Sequence, residues 1–198
     1  MAEVKTIQNQ QSSNEHANKE YSIFQIAFNL TMVCIISGII IAATYYLTAP
    51  ITARKNAQLK QESMQQLVPK AESFTSVKGK SGWYAAQKSG NTIAYVVPST
   101  TKGYGGAIEL LVAVSTKGSV MDFQILSANE TPGLGANASK DSFRSQFAGK
   151  KSNALSVVKD KTNKKNIQAM TGATITSTAV TKGVKEAVDE VDSYMGGK

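Results

Sequence analysis

The sequence predicts an α+β fold in which a single N-terminal transmembrane helix precedes an antiparallel-sheet domain with flanking helices. Three observations predict it: an uncharged apolar run near the N-terminus, strand-like segments joined by short glycine turns, and an apolar helical repeat near the C-terminus. Strands grouped before helices are typical of α+β domains, and short turns join antiparallel neighbours. The 198 residues leave room for one ordinary domain beyond the apolar run.

The chain begins with a predicted disordered tail that leads into a predicted membrane span. Residues 1–20 are rich in Gln, Asn, Ser, Glu and Lys, so they cannot bury enough apolar surface to offset the entropy lost on ordering. No charged residue occurs in 21–53, and 30–47 is almost continuously apolar over the length that crosses a hydrocarbon core. We therefore assign 21–50 as a transmembrane helix.

Two alternatives to a membrane span fit the same run less well. A cleaved signal peptide has a short basic start and a shorter apolar core, whereas this chain has a long polar lead. A buried core helix needs flanking segments that fold over it, but a polar tail and a charged helix flank this one. The orientation of the span in the membrane is less clear. A count of the basic residues on its two sides favours a cytoplasmic C-terminal domain by one residue.

The rest of the chain is assigned element by element. Residues 51–69 hold good helix formers and end at Pro69, which predicts a stalk helix that continues the span, and the folded domain is assigned to 70–198. Residues 139–149 predict a short helix capped by Ser139, and 179–195 predict the terminal helix. Four antiparallel strands, separated by glycine turns, are predicted between the stalk and these helices, at 83–87, 92–97, 107–114 and 120–126.

Composition excludes several classes of function. The single cysteine, Cys34, lies in the predicted span and cannot form an internal disulfide or hold an iron–sulfur cluster alone. The only histidine, His16, lies in the tail, which excludes a histidine-based catalytic dyad or metal site in the domain. Residues 54–198 hold 20 of the 22 Lys and Arg and 11 of the 14 Asp and Glu, a net charge of +9. This basic domain has no nucleic-acid module or Arg cluster, so nucleic acid is not an expected partner.

The most informative motif, residues 170–177, is a hydroxyl-rich turn that opens the last helical pattern. Gly172 can adopt a positive φ and Ala173 adds almost no bulk, so the hydroxyl of Thr174 can stand clear of its neighbours. A helix N-terminus also offers free N–H groups and the positive end of a dipole, which favour a phosphate. The alternative is an ordinary helix cap, because Ser and Thr are preferred at that position. The turn alone does not separate the two.

Two glycine-rich loops interrupt the predicted sheet. Residues 102–106 precede a strong strand, and 130–135 follow another. Both match ordinary turn chemistry. The second loop also holds Leu134 between two glycines, whose missing side chains let backbone approach a flat ligand closely.

Taken together, the two loops, the motif at 171–177 and the single span resemble the covalent-FMN subunits of bacterial ion-pumping respiratory complexes. The resemblance covers roughly residues 21–195 and favours the G subunit of the Rnf-type ferredoxin:NAD oxidoreductase complex. It implies that a flavin transferase attaches FMN to Thr174 through a phosphoester. It also implies that the cofactor-binding residues are Thr171, Gly172, Ala173, Glu130, Thr131, Pro132, Gly133, Leu134, Gly135 and Tyr104.

The resemblance further implies an electron-transfer subunit that has no catalytic residues of its own and no turnover in isolation. Other subunits of the membrane complex are then its partners, and its FMN-binding domain lies outside the cytoplasm, against the basic-residue count. The family motif often has an aspartate three residues before its first Ser or Thr, and this chain has Gln168 there. The alternatives are the C subunit of a sodium-pumping NADH:quinone oxidoreductase, a membrane-anchored redox sensor, and an assembly protein that carries no flavin.

Overall fold

The computed structural model describes residues 22–160 and 162–196, so the predicted tail lies outside the described residues. Helix α1 spans Ile23–Leu67, and the chain divides into two compact units at Arg54 and Lys55. In the described part of the chain, α1 is the one helix long and apolar enough to cross a membrane, and none of its apolar window is buried by protein. The first unit therefore has the length and exposed apolar surface of a membrane anchor.

Two threonine hydroxyls of the anchor satisfy their hydrogen bonds within the helix. The hydroxyls of Thr31 and Thr44 each donate to the carbonyl oxygen four residues earlier, at 2.8 Å in both cases. Hydroxyls bonded in this way present no free donor to hydrocarbon, where an unsatisfied polar group costs several kcal/mol. The helix also contains Pro50, which the sequence assignment placed at the end of the span.

The second unit is built on one antiparallel meander. Its five strands pair in chain order, so each strand neighbours the next one along the sequence. A single short helix turn and a separate pair of short parallel strands precede the terminal helix. The bounds are β1 Ser73–Ser76, β2 Tyr84–Lys88, β3 Asn91–Lys102, β4 Ala107–Ser115, β5 Val120–Ala128, α2 Asp141–Arg144, β6 Val157–Val158, β7 Ile167–Gln168 and α3 Thr174–Gly196.

A helix covers each face of the meander. Helix α3 packs the larger core against one face, where it buries Val180, Val184, Val188 and Val191. The last turn of α1 packs on the other face, where Met64 and Leu67 meet Ala86, Ala94, Val96, Leu111 and Ala113. Strand β4 is buried on both faces, so its apolar residues form the nearly continuous run that predicted a strong strand.

One glycine lets α3 lie close to the sheet. A Cβ on Gly183 would come within 2.7 Å of Leu110 Cδ1. The carbonyl oxygen of Gly183 also accepts a hydrogen bond from Ser99 Oγ at 3.0 Å, which ties the helix backbone to β3. The helix body is therefore fixed on the sheet by both apolar packing and a backbone contact.

The predicted α+β fold with an N-terminal apolar helix is confirmed, and four predictions about its elements are corrected. Strand β1 was not predicted, because its four residues are mostly exposed and show no clear apolar alternation. Strand β3 runs to Lys102, five residues past the predicted end at 97. The predicted helix at 139–149 is three short segments, Gly135–Ser139, Asp141–Arg144 and Ser145–Phe147. Helix α3 begins at Thr174, before the predicted 179.

The prediction that Ser139 caps a helix is also wrong. Lys140 is the residue before α2, and it makes no side-chain cap hydrogen bond. The Ser139 hydroxyl instead donates to the carbonyl oxygen of Ala136 at 3.0 Å. The hydroxyl therefore closes the turn that precedes it, which is a common local use of a serine side chain.

Candidate functional site

An open groove lies where the two glycine-rich loops meet the start of α3. Its volume is about 550 Å³, within the range of about 300–1,000 Å³ usual for ligand pockets. Segments far apart in the sequence form its walls. The lining residues are Tyr104, Glu130, Thr131, Leu134, Gly135, Gly172, Ala173, Thr174, Ile175 and Thr176.

Thr174 is the first residue of α3 and lies on the edge of this groove. The residue before the helix is Ala173, whose methyl group cannot cap it. No group in the described residues hydrogen-bonds the Thr174 hydroxyl, although the Thr174 carbonyl oxygen accepts a bond from Thr178 Oγ1 at 2.9 Å. A capping hydroxyl would sit one residue earlier and bond a backbone N–H of the first turn. The geometry therefore argues against the helix-cap alternative and leaves the hydroxyl accessible.

Ser177 holds the turn that presents Thr174. Its hydroxyl accepts a hydrogen bond from the Met170 N–H at 3.0 Å and donates to the Ala173 carbonyl oxygen at 2.8 Å. The side chain of Ser177 is fully buried. Gly172, between these anchors, has a φ of +74°, a backbone conformation that side chains other than glycine rarely adopt. The turn is thus fixed from inside while Thr174 remains on its surface.

Glu130 joins three walls of the groove. One carboxylate oxygen accepts the Gly105 N–H at 3.0 Å, and the other accepts the Thr176 hydroxyl at 2.5 Å. A Cβ on Gly103 or Gly135 would collide with this carboxylate, so both loops need glycine next to it. The acidic side chain therefore fixes the loop at 102–106 to the first turn of α3 and positions the groove walls.

The loop at 130–135 folds back toward the motif turn. Gly133 has a φ of +78°, and its carbonyl oxygen accepts a hydrogen bond from Asn137 Nδ2 at 2.6 Å. Leu134 is 44% exposed, and its Cδ2 lies 3.0 Å from where a Cβ on Gly172 would stand. Leu134 therefore covers the motif turn while keeping one apolar side open to the groove.

The structure places most of the residues expected to bind the cofactor along this groove. Three of them, Thr171, Pro132 and Gly133, lie in the same turns but outside the lining. Sequence reasoning missed Ile175 and Thr176. Ile175 is an apolar side chain, 57% exposed, on the first turn of a helix, and that exposure follows only once the helix start is known. Thr176 binds a residue 46 positions away, for which the sequence holds no local signal.

Gln168, at the position where the resemblance leads us to expect an aspartate, lies in β7 before the motif turn. Its backbone N–H donates to Gln146 Oε1 at 2.8 Å, and its side-chain amide donates to the Asn163 carbonyl oxygen at 3.4 Å. Gln146 Nε2 in turn reaches the Gln168 carbonyl oxygen at 3.5 Å. Gln168 therefore braces the strand from which the motif turn starts.

A family model described as an FMN-binding domain matches residues 103–189, a range that includes the loop at 130–135, the motif turn and all but the first residue of the loop at 102–106. The chain therefore combines an FMN-binding domain with an apolar helix long enough to cross a membrane. The described fold also resembles the crystal structure of Shewanella oneidensis NqrC, with a TM-score of 0.51 over 66% of this chain and 74% of that chain, at 18% identity. That likeness supports the fold alone.

Two curated relatives identify the family more closely. The G subunit of the proton-translocating ferredoxin:NAD⁺ oxidoreductase complex of Clostridium ljungdahlii is 67% identical over 177 residues, covering 89% of this chain and 96% of that protein. The G subunit of the Na⁺-translocating ferredoxin:NAD⁺ oxidoreductase complex of Acetobacterium woodii is 32% identical, covering 84% of this chain and 90% of that protein. The chain belongs to the family of G subunits of ion-translocating ferredoxin:NAD⁺ oxidoreductase complexes.

Proposed function

We propose that this chain carries FMN covalently on Thr174 and transfers electrons within a membrane-bound ferredoxin:NAD⁺ oxidoreductase complex. One observation carries the proposal. The hydroxyl of Thr174 has no hydrogen-bond partner among the described residues, and it lies at the edge of a ligand-sized groove. A phosphoester forms when the hydroxyl oxygen of Thr174 bonds to the phosphorus of the FMN half of FAD, the bond between the two phosphates of FAD breaks, AMP leaves with the electron pair of that bond, and the hydroxyl proton is released. The reaction needs an accessible hydroxyl, and Thr174 offers one.

The groove suits a flat aromatic ring next to a phosphate. Leu134 and Ile175 supply exposed apolar surface on the two walls, at 44% and 57% exposure. Tyr104, 72% exposed, stands in the glycine loop at the third wall. Binding of an aromatic ring is favoured when apolar side chains cover the ring and remove it from water. The first turn of α3, which has no acidic residue, offers backbone N–H groups and a positive dipole to the phosphate.

The chain's own residues position the cofactor. When bound, FMN supplies the uptake and release of electrons, which protein side chains do not provide. Glu130 fixes the positions of the groove walls relative to one another. The apolar side chains of Leu134 and Ile175 limit the access of water to the bound ring. The open side of the groove leaves an edge that another redox centre can approach. On this proposal the subunit holds its flavin in a fixed position, accepts and passes on electrons, and needs no general acid or base.

We extend the proposal to maturation and topology. A flavin transferase attaches the FMN, and the domain beyond α1 lies on the extracytoplasmic side. The resemblance of the loops and the motif to covalent-FMN subunits supports both statements. Helix α1 then anchors the domain to the membrane, next to the other subunits of the complex.

The proposal is tested by in-gel fluorescence of the full chain co-expressed with a flavin transferase. After complete denaturation, the wild type is expected to show an ultraviolet-excited flavin band and Thr174→Ala none. Thr116→Ala is the control, because Thr116 is an exposed threonine that lies outside the motif turn and outside the groove lining. It is expected to keep the band. A band that survives in Thr174→Ala, or no band in the wild type, would overturn the attachment.

A further inference from the structure

A second, smaller groove shares Thr174 with the first. Its volume is about 350 Å³, and Thr174 and Ile175 line both grooves. Two lysines, Lys102 and Lys182, supply the only charged side chains among its lining residues. Lys102 ends β3, and Lys182 lies about two helical turns along α3 from Thr174, on the same side of the helix. The remaining lining residues are Thr101, Thr178 and Ala179.

Both ammonium groups remain available to an anion. Lys182 Nζ lies 3.7 Å from Glu186 Oε1, and the two side chains are 68% and 50% exposed. Exposed ion pairs of this kind contribute little, because solvent screens them. No ion pair forms on Lys102 within the described residues. The second groove thus brings two weakly engaged positive charges to the residue that carries the free hydroxyl.

We propose that this second groove is the phosphate subsite of the flavin site, in which Lys102 and Lys182 hold the anionic phosphodiester at Thr174. The inference rests on the proposed attachment at Thr174. The apolar first groove suits the ring, so the phosphate must lie at the boundary between the two grooves, where Thr174 stands. A phosphodiester carries one negative charge at neutral pH. Lysine binds phosphate as a point charge and does not need a fixed planar geometry.

The same lysines also promote attachment. With FAD as the flavin donor, the Thr174 oxygen bonds to the phosphorus of the FMN half as the bond between the two phosphates breaks. AMP leaves with the electron pair of that bond, and the threonine proton is released. Both the donor and the product are anionic at this phosphorus. Positive charge beside Thr174 therefore stabilises the approach of the donor and the diester that remains.

The first experiment measures the rate of covalent flavin incorporation into the full chain in detergent, produced without transferase and then mixed with transferase and FAD. The variant is Lys102→Gln with Lys182→Gln. The control is Lys117→Gln with Lys185→Gln, which removes the same charge outside both grooves. We expect the variant to be slower by about three- to tenfold in about 10 mM salt, where charges are felt over about 30 Å, and equal to the wild type in about 1 M salt.

The second experiment uses the mature protein, without transferase or free FAD. The ³¹P resonance of the wild-type phosphodiester is expected to shift with salt concentration, and that of the double variant is expected not to. An unchanged incorporation rate, a deficit that persists at high salt, or an equal deficit in the control would overturn the inference. A salt-sensitive rate with identical ³¹P behaviour would place the lysines against the transferase and would also overturn it. In each of these outcomes the wild type still carries flavin, so attachment at Thr174 stands separately.

Discussion

The body of helix α3 is buried against the sheet, whereas its first turn leaves Thr174 and Ile175 exposed. Val184 and Val188 in the body are completely inaccessible to solvent. The hydroxyl of Thr174, at the start of the same helix, has no partner in the described residues. One continuous helix thus separates two tasks. Its body fixes the position of the first turn, and the first turn keeps the free groups to which a cofactor can be attached.

This division of tasks predicts that damage to the body changes stability more than chemistry. Leu110 is 1% exposed and lies under Gly183 of the helix. Leu110→Ala is expected to lower the free energy of unfolding by about 2–5 kcal/mol, because it removes buried methyl groups and leaves a cavity. Trp83 is the only tryptophan and is buried in the domain, so its fluorescence during urea unfolding of the flavin-free chain measures the loss.

The folded fraction of Leu110→Ala is expected to keep its covalent flavin, as judged by the in-gel band per folded molecule. A lost band with little change in stability would contradict the division of tasks along α3.

A smaller effect on stability is expected at Glu130, which contacts the first turn of α3. Glu130→Ala leaves the buried Thr176 hydroxyl and the Gly105 N–H without their acceptor. We expect the free energy of unfolding to fall by about 1–3 kcal/mol, the usual cost of an unsatisfied buried group, and the groove walls to loosen. The same urea titration measures the first effect, and the visible absorption of the bound flavin reports the second.

Glu130→Gln is the matched control, because its amide can still accept from the Gly105 N–H and donate to the Thr176 hydroxyl. It is expected to retain most of the stability and the flavin spectrum of the wild type. Equal losses in the two variants would show that charge, and not hydrogen bonding, joins the walls.

The smallest effect on stability is expected at the rim of the groove. Leu134 is 44% exposed, so Leu134→Ala is expected to change the free energy of unfolding by less than about 0.5 kcal/mol. It is expected to shift the absorption and fluorescence of the bound flavin, because Leu134 covers one side of the groove. Leu126→Ala is the control, since Leu126 is an exposed leucine outside the flavin groove. An unchanged flavin spectrum in Leu134→Ala would remove Leu134 from the site.

The sequence predicts the strands whose signals are local. Apolar runs and glycine turns locate β2 to β5 closely, but β3 continues past its predicted end through Pro98. Proline lacks an N–H, so it normally ends a central strand. Pairing of β2 with β3 reaches only Val96, so β3 is an edge strand on that side from there on, and Pro98 pairs with Leu111 of β4 alone. The extension depends on where a neighbouring strand ends, which no local pattern records.

The motif predicted Thr174 at or near a helix N-terminus, and α3 begins there, although the assigned terminal helix began only at 179. Hydroxyl-rich and β-branched residues are weak helix formers, so the intervening residues carry little helical signal. In the structure the hydroxyls of Ser177, Thr178 and Thr181 donate to carbonyl oxygens four residues earlier, at 2.7–2.9 Å, and the helix accommodates them. The motif at 171–177 was visible in the sequence. Its contact with Glu130, which closes the groove, appears only after folding.

The proposed function depends most directly on the atom to which the flavin is attached. Mass mapping of the tryptic peptide that spans residues 166–182 from the co-expressed full chain tests this, because the peptide contains every threonine of the motif turn. Attachment at Thr174 predicts a mass increase equal to FMN less one water, with fragment ions that assign it to Thr174. An unmodified peptide, or fragment ions that assign the mass to Thr171 or Thr176, would contradict it.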